Sequence, residues 1–197
     1  DPGALSLELS KMAERFGTTL AESERWKARL DPVRRLAHEI DRLTWEEGRV
    51  TGEENHRWLV ACSDFEGDPE GYARRAGKFI AEAAARPAAR DRVPVAFVGV
   101  PPIVSGLHAC FEEAGARVVL NEVQRQFAMP FPAASLVEQY LAYTYPYSFF
   151  ERIRDIRAEV ARRGARGVVH YVQSFCFRQI EDMIVRKTLS LPILTLE

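Results

Sequence analysis

The chain has 197 residues, of which 47% are hydrophobic and 28% charged, and its formal net charge is −1. This composition predicts a globular protein of one or two domains with a substantial apolar core. The near-neutral charge argues against nucleic acid and anionic membranes as partners, and no apolar run approaches the ~20 residues that span a bilayer. Three cysteines without close pairing favour a reducing, cytoplasmic location over a disulfide framework.

The first 90 residues carry only helix signals, with apolar residues at helical spacing. Gly17 ends a first helix, and Asp31-Pro32 divides the next helical stretch into two helices, of which the later one ends at Gly48. Residues 51–54 form a capping box for the following helix, and Asp68-Pro69 begins the last one. We therefore predict a helical region over residues 1–90.

Four short apolar segments then alternate with helical segments over residues 91–197. The predicted strands are residues 93–100, 117–120, 168–172 and 192–196. Strands that alternate with helices are joined by right-handed crossovers and form a parallel sheet. We therefore predict an α/β domain with a four-stranded, doubly wound sheet of the Rossmann or flavodoxin-like type.

Polar or conformationally special residues follow each predicted strand, and ligands bind at this carboxyl edge in doubly wound sheets. The groups are Gly99–Pro102, Asn121 with Glu122, Gln173–Cys176, and Glu197. We expect substrate contacts from five of these residues: Pro101, Asn121, Glu122, Gln173 and Ser174. The alternative for the Asn-Glu pair is ordinary turn chemistry at a strand end.

Cys176 is the candidate metal ligand. Ser174 is predicted to cap a helix that begins at Phe175, which places Cys176 in the first helical turn, where free backbone N–H groups favour the thiolate form. The alternative is a small buried side chain. A complete zinc or iron–sulfur site needs three or four ligands, and Cys62 and Cys110 are predicted to belong to the core because each lies on the apolar face of its helix.

Two other features leave alternatives open. His170 lies inside a strand and is predicted to be a core or near-site histidine rather than a general base. The aromatic stretch from Tyr140 to Phe150 either walls a pocket or forms an interface. Residues 99–103 do not match the dinucleotide-binding glycine pattern.

Several segments resemble the 2-hydroxyacyl-CoA dehydratase family, which includes 2-hydroxyglutaryl-CoA dehydratase and benzoyl-CoA reductase subunits. The segments are FVGVPPI at residues 97–103, LNEVQRQF at 120–127, and HYVQSFC at 170–176, which is the most specific. Residues 54–69 of the helical region fit the same resemblance, which therefore extends over nearly the whole chain.

The resemblance implies a cytoplasmic enzyme subunit with a [4Fe-4S] cluster held by three cysteines, of which Cys176 matches the ligand from the C-terminal α/β domain. It implies a related second subunit, an ATP-dependent iron–sulfur activator that supplies one electron, and an acyl-CoA substrate whose ketyl radical loses a hydroxyl as water. The other two ligands are expected from an upstream α/β domain of the family. We therefore expect this chain to be the central and C-terminal part of a subunit and to be inactive alone.

Two alternatives remain open at the level of the sequence. One is a reductase of the same family, of the benzoyl-CoA reductase type or acting on another small molecule. The other is a non-catalytic, flavodoxin-like binding or scaffold module in which Cys176 is inert.

Overall fold

The computed structural model describes residues 1–143 and 148–197. Within these ranges the helices are α1 (Pro2–Arg15), α2 (Leu20–Arg42), α3 (Gly52–Val60), α4 (Pro69–Ala84), α5 (Leu107–Glu113), α6 (Glu122–Phe127), α7 (Leu136–Ala142), α8 (Phe149–Arg162) and α9 (Arg178–Thr188). The strands are β1 (Val93–Gly99), β2 (Ala116–Asn121), β3 (Gly167–Tyr171) and β4 (Ile193–Leu196). Helices therefore precede an α/β arrangement, which confirms the predicted fold class.

The four strands form one sheet in the order β2-β1-β3-β4, and every neighbouring pair is parallel. From β1 the chain first moves outward to β2 and then crosses back to β3 on the other side of β1. The strand order thus reverses between β1 and β3. In sheets of this kind, ligands bind in the crevice beside the carboxyl ends of the strands that flank such a switch point.

Helices cover both faces of the sheet because successive strand residues point to opposite sides. Val98 belongs to an apolar cluster with Ile156 of α8 and Val185 of α9. Phe97, the residue before Val98, packs on the other face with Phe111 of α5, at a ring-centroid distance of 6.2 Å. The sheet is therefore doubly wound, as predicted.

A second core lies among the N-terminal helices. Its fully buried members include Ile40 of α2, Leu59 of α3 and Tyr72 of α4. The Tyr72 hydroxyl donates to the Trp58 carbonyl at 3.0 Å and lies 3.2 Å from the Cys62 sulfur. The predicted core position of Cys62 is confirmed, and so is the capping box at residues 51–54.

The predicted break at Pro32 is wrong, since α2 runs without interruption from Leu20 to Arg42. Proline removes one helical hydrogen bond and crowds the preceding turn. The helix persists because its inner face, with Ala37 and Ile40, packs in the core against α3 and α4. Asp31 pairs with Lys27 at 2.9 Å on the same helix rather than beginning a new one.

The segment after β2 contains α6 and α7. Residues 122–126 of α6 are all buried, so this short helix is part of the core. Residues 144–147, which belong to the aromatic stretch predicted as a pocket wall or an interface, lie outside the described residues.

The predicted core position of Cys110 is wrong, because this side chain is exposed. Helix α5 is short and turns His108 toward the sheet. Residues two apart on a helix point in nearly opposite directions, so burial of His108 leaves Cys110 at the surface.

In the ranges that the structure describes, none of the helices is both long and apolar enough to cross a membrane.

Candidate functional site

Cys176 lies in a turn that joins β3 to α9. The predicted helix start at Phe175 is wrong, since α9 begins at Arg178. Phe175 has a φ of 66°, a left-handed conformation that a right-handed helix does not contain. Ser174 does not cap the helix, and its hydroxyl donates to Glu197 at 2.6 Å. The backbone N–H of Cys176 donates to the Gln173 carbonyl at 2.9 Å, and its side chain is partly exposed.

Large apolar side chains surround this turn and are exposed to solvent. They are Phe175, Phe177, Ile180 and Met183. Ile180 and Met183 lie on α9, whose fully buried apolar residue is Val185. Contiguous exposed apolar side chains mark interaction surfaces in folded proteins. We call these four residues the apolar surface of the Cys176 turn.

Gly99 ends β1 in a conformation that only glycine adopts without strain. Its φ is 106°, and a Cβ atom at this position would lie 2.0 Å from the Tyr171 carbonyl oxygen of β3. The Gly99 N–H donates to Glu122 Oε2 at 3.2 Å. The carboxyl ends of β1 and β3 can therefore approach each other closely at the switch point, and Glu122 holds the β1 end.

Glu122 is ionised in spite of its burial. Its two carboxylate oxygens accept bidentate hydrogen bonds from Arg152 Nε at 2.8 Å and Nη2 at 2.7 Å. Burial alone would raise the pKa of Glu122, but the positive charge and hydrogen bonds of Arg152 outweigh it, so that the pKa lies below its usual value. Arg152 also pairs with Glu181 of α9, which accepts a further bond from Arg178. These four side chains connect α6, α8 and α9 beneath the carboxyl edge.

His170 of β3, predicted as a core or near-site histidine, is fully buried. Its Nδ1 lies 2.7 Å from Asp182 Oδ1, which also accepts from the Thr195 hydroxyl at 2.8 Å. Burial lowers the pKa of His170 against the opposing effect of Asp182, so the ring is neutral and Nδ1 carries its proton. Its buried Nε2 has no hydrogen-bond partner in the described part of the chain.

Asn121 is directed into the protein. Its side-chain amide donates to the Gly52 carbonyl at 2.9 Å and to Asn55 at 2.8 Å, and its oxygen lies 3.1 Å from His108 Nε2. Burial lowers the pKa of His108, although the bond to Asn121 opposes this effect, so that the neutral ring donates through Nε2. Asn121 therefore joins the end of β2 to α3 and α5.

The five predicted substrate contacts thus fall into two groups. Pro101 and Gln173 are half-buried and Ser174 is exposed, all in segments that leave the carboxyl edge. Asn121 and Glu122 are fully buried, and their side chains are hydrogen-bonded to other parts of the chain. Contact of any of the five with a substrate stays a prediction.

The sequence analysis did not identify Arg152, Glu181 or Asp182, although Arg152 pairs with Glu122 and Glu181, and Asp182 pairs with His170. A signal for Arg152 was present, since it adjoins Ile153 and lies three residues after Phe149, on the apolar side of α8. A charged residue on the inward stripe of a helix requires a buried partner of opposite charge.

Cys176 stands alone as a candidate metal ligand at this edge. Among residues 1–143 and 148–197, no group of three or more His, Cys, Asp or Glu side chains could hold a metal ion. Cys62 is buried in the helical core, and Cys110 is exposed on α5. Because an iron–sulfur cluster takes its ligands from several cysteines, the described residues do not form a complete site of this kind, and the role of Cys176 as a ligand stays a prediction.

The carboxyl edge therefore combines a switch point, buried ion pairs and an accessible thiol framed by exposed apolar side chains. No protein with a curated description matches the sequence. The family model of the 2-hydroxyglutaryl-CoA dehydratase D-component matches residues 10–197, and this chain belongs to that family.

Proposed function

We propose that this chain is part of the iron–sulfur subunit of a 2-hydroxyacyl-CoA dehydratase, in which Cys176 is one ligand of a [4Fe-4S] cluster. The proposed reaction is the radical elimination of water from a 2-hydroxyacyl-CoA after one-electron reduction by an ATP-dependent activator protein. The proposed enzyme is cytoplasmic and includes a related second subunit. Family membership over residues 10–197 supports the reaction class. The observation that carries the assignment of Cys176 is its partly exposed position at the carboxyl edge, beside the switch point.

The remaining ligands are proposed to come from outside the described residues, because these residues contain no complete metal site. The proposed role of this chain is to fix the conformation of the carboxyl edge of the sheet. Gly99 permits the close approach of β1 to β3, and the pair of Glu122 and Arg152 fixes the end of β1 from below.

Substrate contact is proposed chiefly for Pro101, Gln173 and Ser174, which are the candidates with accessible surface. Asn121 and Glu122 are proposed to act through the backbone that they hold. The buried N–H bond from Gly99 to Glu122 supports this role, since loss of the carboxylate would release the loop that begins at Val100.

The second subunit is proposed to cover the apolar surface of the Cys176 turn. Phe175 is fully exposed, and Phe177 and Ile180 are each about two-thirds exposed. Burial of such side chains stabilises association by roughly 25 cal/mol per Å² of apolar surface removed from water. A protein surface placed over this turn would also exclude water from the thiolate, which lowers the local dielectric around a metal centre.

The test compares two cysteine variants of the complete subunit, produced with its partner and purified anaerobically. Cys176→Ser is expected to lose most of the bound iron and the absorption of the cluster. Cys110→Ser is the matched control, because it removes an exposed thiol from α5, an element other than the Cys176 turn, and its iron content should equal that of the wild type.

Equal iron content in Cys176→Ser and wild type would contradict the ligand assignment. Absence of iron from the wild-type complex would favour the non-catalytic binding module instead. Turnover of an aromatic acyl-CoA to a reduced ring, without dehydration of 2-hydroxyacyl-CoA substrates, would identify a reductase of the same family.

A further inference from the structure

A separate cavity of about 390 Å³ lies between α2 and the segment from Met129 to Ala133. Its volume falls within the range of small-molecule sites. The α2 side is a stripe at helical spacing that consists of Lys27, Asp31, Arg34, Arg35 and His38. The opposite wall is apolar and includes Met129, Pro130 and Phe131. One wall thus presents charge and the other presents apolar surface.

The charged wall carries an excess of two positive charges, since it has three cations and one carboxylate. Lys27 Nζ donates to Asp31 at 2.9 Å and to the Ala133 carbonyl at 2.8 Å. The carboxylate of this wall is therefore already paired with Lys27. Arg34 Nη1 donates to two backbone carbonyls, that of Phe127 at 2.9 Å and that of Cys62 at 3.4 Å, and its guanidinium lies over the Phe65 ring. Within the described ranges, neither Arg34 nor Arg35 forms an ion pair with a carboxylate.

Burial makes this excess of positive charge unfavourable. Arg34 is half-buried, and desolvation lowers its pKa although Asp31 opposes the effect. An anion that binds beside a guanidinium stabilises it when the guanidinium has been removed from water without a counter-charge. Arg35 is exposed at the rim of the same cavity. It can reach a ligand without losing any partner in the described structure.

We propose that this cavity binds a phosphate monoester, whose phosphoryl group lies at Arg34 and Arg35 and whose flat organic group lies against Phe131 and Pro130. A phosphate monoester carries close to two negative charges at neutral pH, which matches the excess charge of the wall. Guanidinium groups bind phosphate oxygens in a bidentate manner. The apolar wall distinguishes an ester from inorganic phosphate, because it offers the free ion no contact.

This inference goes beyond the proposed dehydratase function and does not rest on it. The cavity is built from α2 and residues 129–133, whereas the candidate cluster ligand lies on the turn after β3. Binding at the cavity can therefore be measured on the purified protein without a cluster, a partner or turnover.

The test is isothermal titration calorimetry with phenyl phosphate, inorganic phosphate and phenol. We expect phenyl phosphate to bind more tightly than either fragment, and its affinity to fall as salt screens the cations. Arg35→Gln should weaken phenyl phosphate binding by about tenfold, equivalent to about 1.4 kcal/mol. Arg29→Gln is the matched control, since it removes the same charge from the same helix at an exposed position where the guanidinium stacks on Trp26.

A second variant tests the apolar wall. Phe131→Ala should weaken phenyl phosphate binding and leave binding of inorganic phosphate unchanged. Circular dichroism establishes that each variant is folded; Arg34 is left intact because its bond to the Phe127 carbonyl holds α2 to the end of α6. The proposal is overturned if wild type does not bind phenyl phosphate, if inorganic phosphate binds as tightly, or if Arg29→Gln reduces affinity as much as Arg35→Gln.

Discussion

His170 of β3 and Asp182 of α9 form a partly buried carboxylate–histidine pair, in which Nδ1 and Oδ1 are 2.7 Å apart. The pair spans the Cys176 turn, because one partner precedes the turn and the other follows it. Asp182 is held in turn by Arg186 Nε at 2.7 Å and by the Thr195 hydroxyl of β4. The turn is therefore exposed at its tip and fixed at both of its ends.

Asp182→Asn should lower the free energy of unfolding by about 1–3 kcal/mol at pH 7, as expected for loss of charged hydrogen bonds. Burial alone would raise the pKa of Asp182, but the bonds from His170 and Arg186 lower it below its usual value. Its contribution is therefore fully present above pH ~4 and is lost as the pH falls through the folded-state pKa. Urea denaturation at several pH values measures the gap between wild type and variant.

The control for this experiment is Asp91→Asn, because Asp91 is exposed in a turn. Its unfolding curve should match that of wild type at every pH. A gap between wild type and Asp182→Asn that is absent at pH 7, or that grows on acidification, would contradict the role given to the pair.

Arg152→Met should destabilise the protein by about 3–5 kcal/mol, because it leaves the buried carboxylate of Glu122 without its counter-charge. The double variant Glu122→Gln/Arg152→Met should lose less than the sum of the two single variants, since the two side chains contact each other. Arg154→Met is the matched control on α8. Its side chain pairs with Glu151 at the surface, and its loss should cost less than about 1 kcal/mol. Additive single effects would indicate that the buried pair is not coupled.

The strands and most helices could be predicted from the sequence because their signals are local. Residues 93–100 and 168–172 are apolar runs bounded by breakers, and they match β1 and β3 to within a residue. Two predictions that relied on local signals were wrong. Pro32 does not break α2, since both flanking parts of the helix pack in one core. Phe175 was predicted to begin a helix, but its backbone is left-handed and belongs to the turn before α9.

The carboxyl edge as a location was also predictable, because parallel topology brings the strand ends together. The orientation of each side chain was not. Asn121 points toward Gly52 and Asn55, residues more than 60 positions earlier in the chain, and no local pattern encodes that contact. The pairing of Arg152 with Glu122 likewise joins elements 30 residues apart. Exposure of Cys110 follows from the burial of His108 on the opposite side of α5, which the spacing of apolar residues alone does not predict.

Acidification from pH 6.5 to about 4 should destabilise the protein in part through His56. Burial and the nearby His108 lower the pKa of His56 from 6.5 to about 4. The unfolded state therefore binds a proton in this range before the folded state does, and stability falls with falling pH. His56→Asn keeps an acceptor for the Gln124 amide, which lies 2.8 Å from Nδ1. The variant should show a shallower loss of stability over this range in urea titrations, and a slope as steep as that of wild type would contradict the assignment.

The three thiols should fall into two classes of reactivity, accessible and buried. Cys110 is exposed and Cys176 partly exposed, whereas Cys62 is fully buried and burial raises the pKa of its thiol. A disulfide reagent such as Ellman's should therefore titrate two thiols in the folded protein and a third in guanidinium. Cys110→Ser should leave one reactive thiol in the folded state. If that variant retained two, Cys62 would be accessible and the packing described for the helical core would be wrong.

Gly99→Ala and Gly77→Ala should change stability in opposite directions. A Cβ atom at Gly99 would lie 2.0 Å from the Tyr171 carbonyl oxygen, and the backbone φ of 106° is unfavourable for alanine. We expect a loss of roughly 2 kcal/mol or more in the free energy of unfolding, because the ends of β1 and β3 must separate.

Gly77 lies inside α4, and no side chain or neighbouring element of the described structure comes within 4 Å of a Cβ atom placed there. Alanine at this position should add about 0.5–1 kcal/mol, because it restricts the unfolded chain and favours the helix. Guanidinium denaturation of both variants measures the two changes. A neutral effect of Gly99→Ala would mean that the strand ends do not approach each other as closely as the structure indicates.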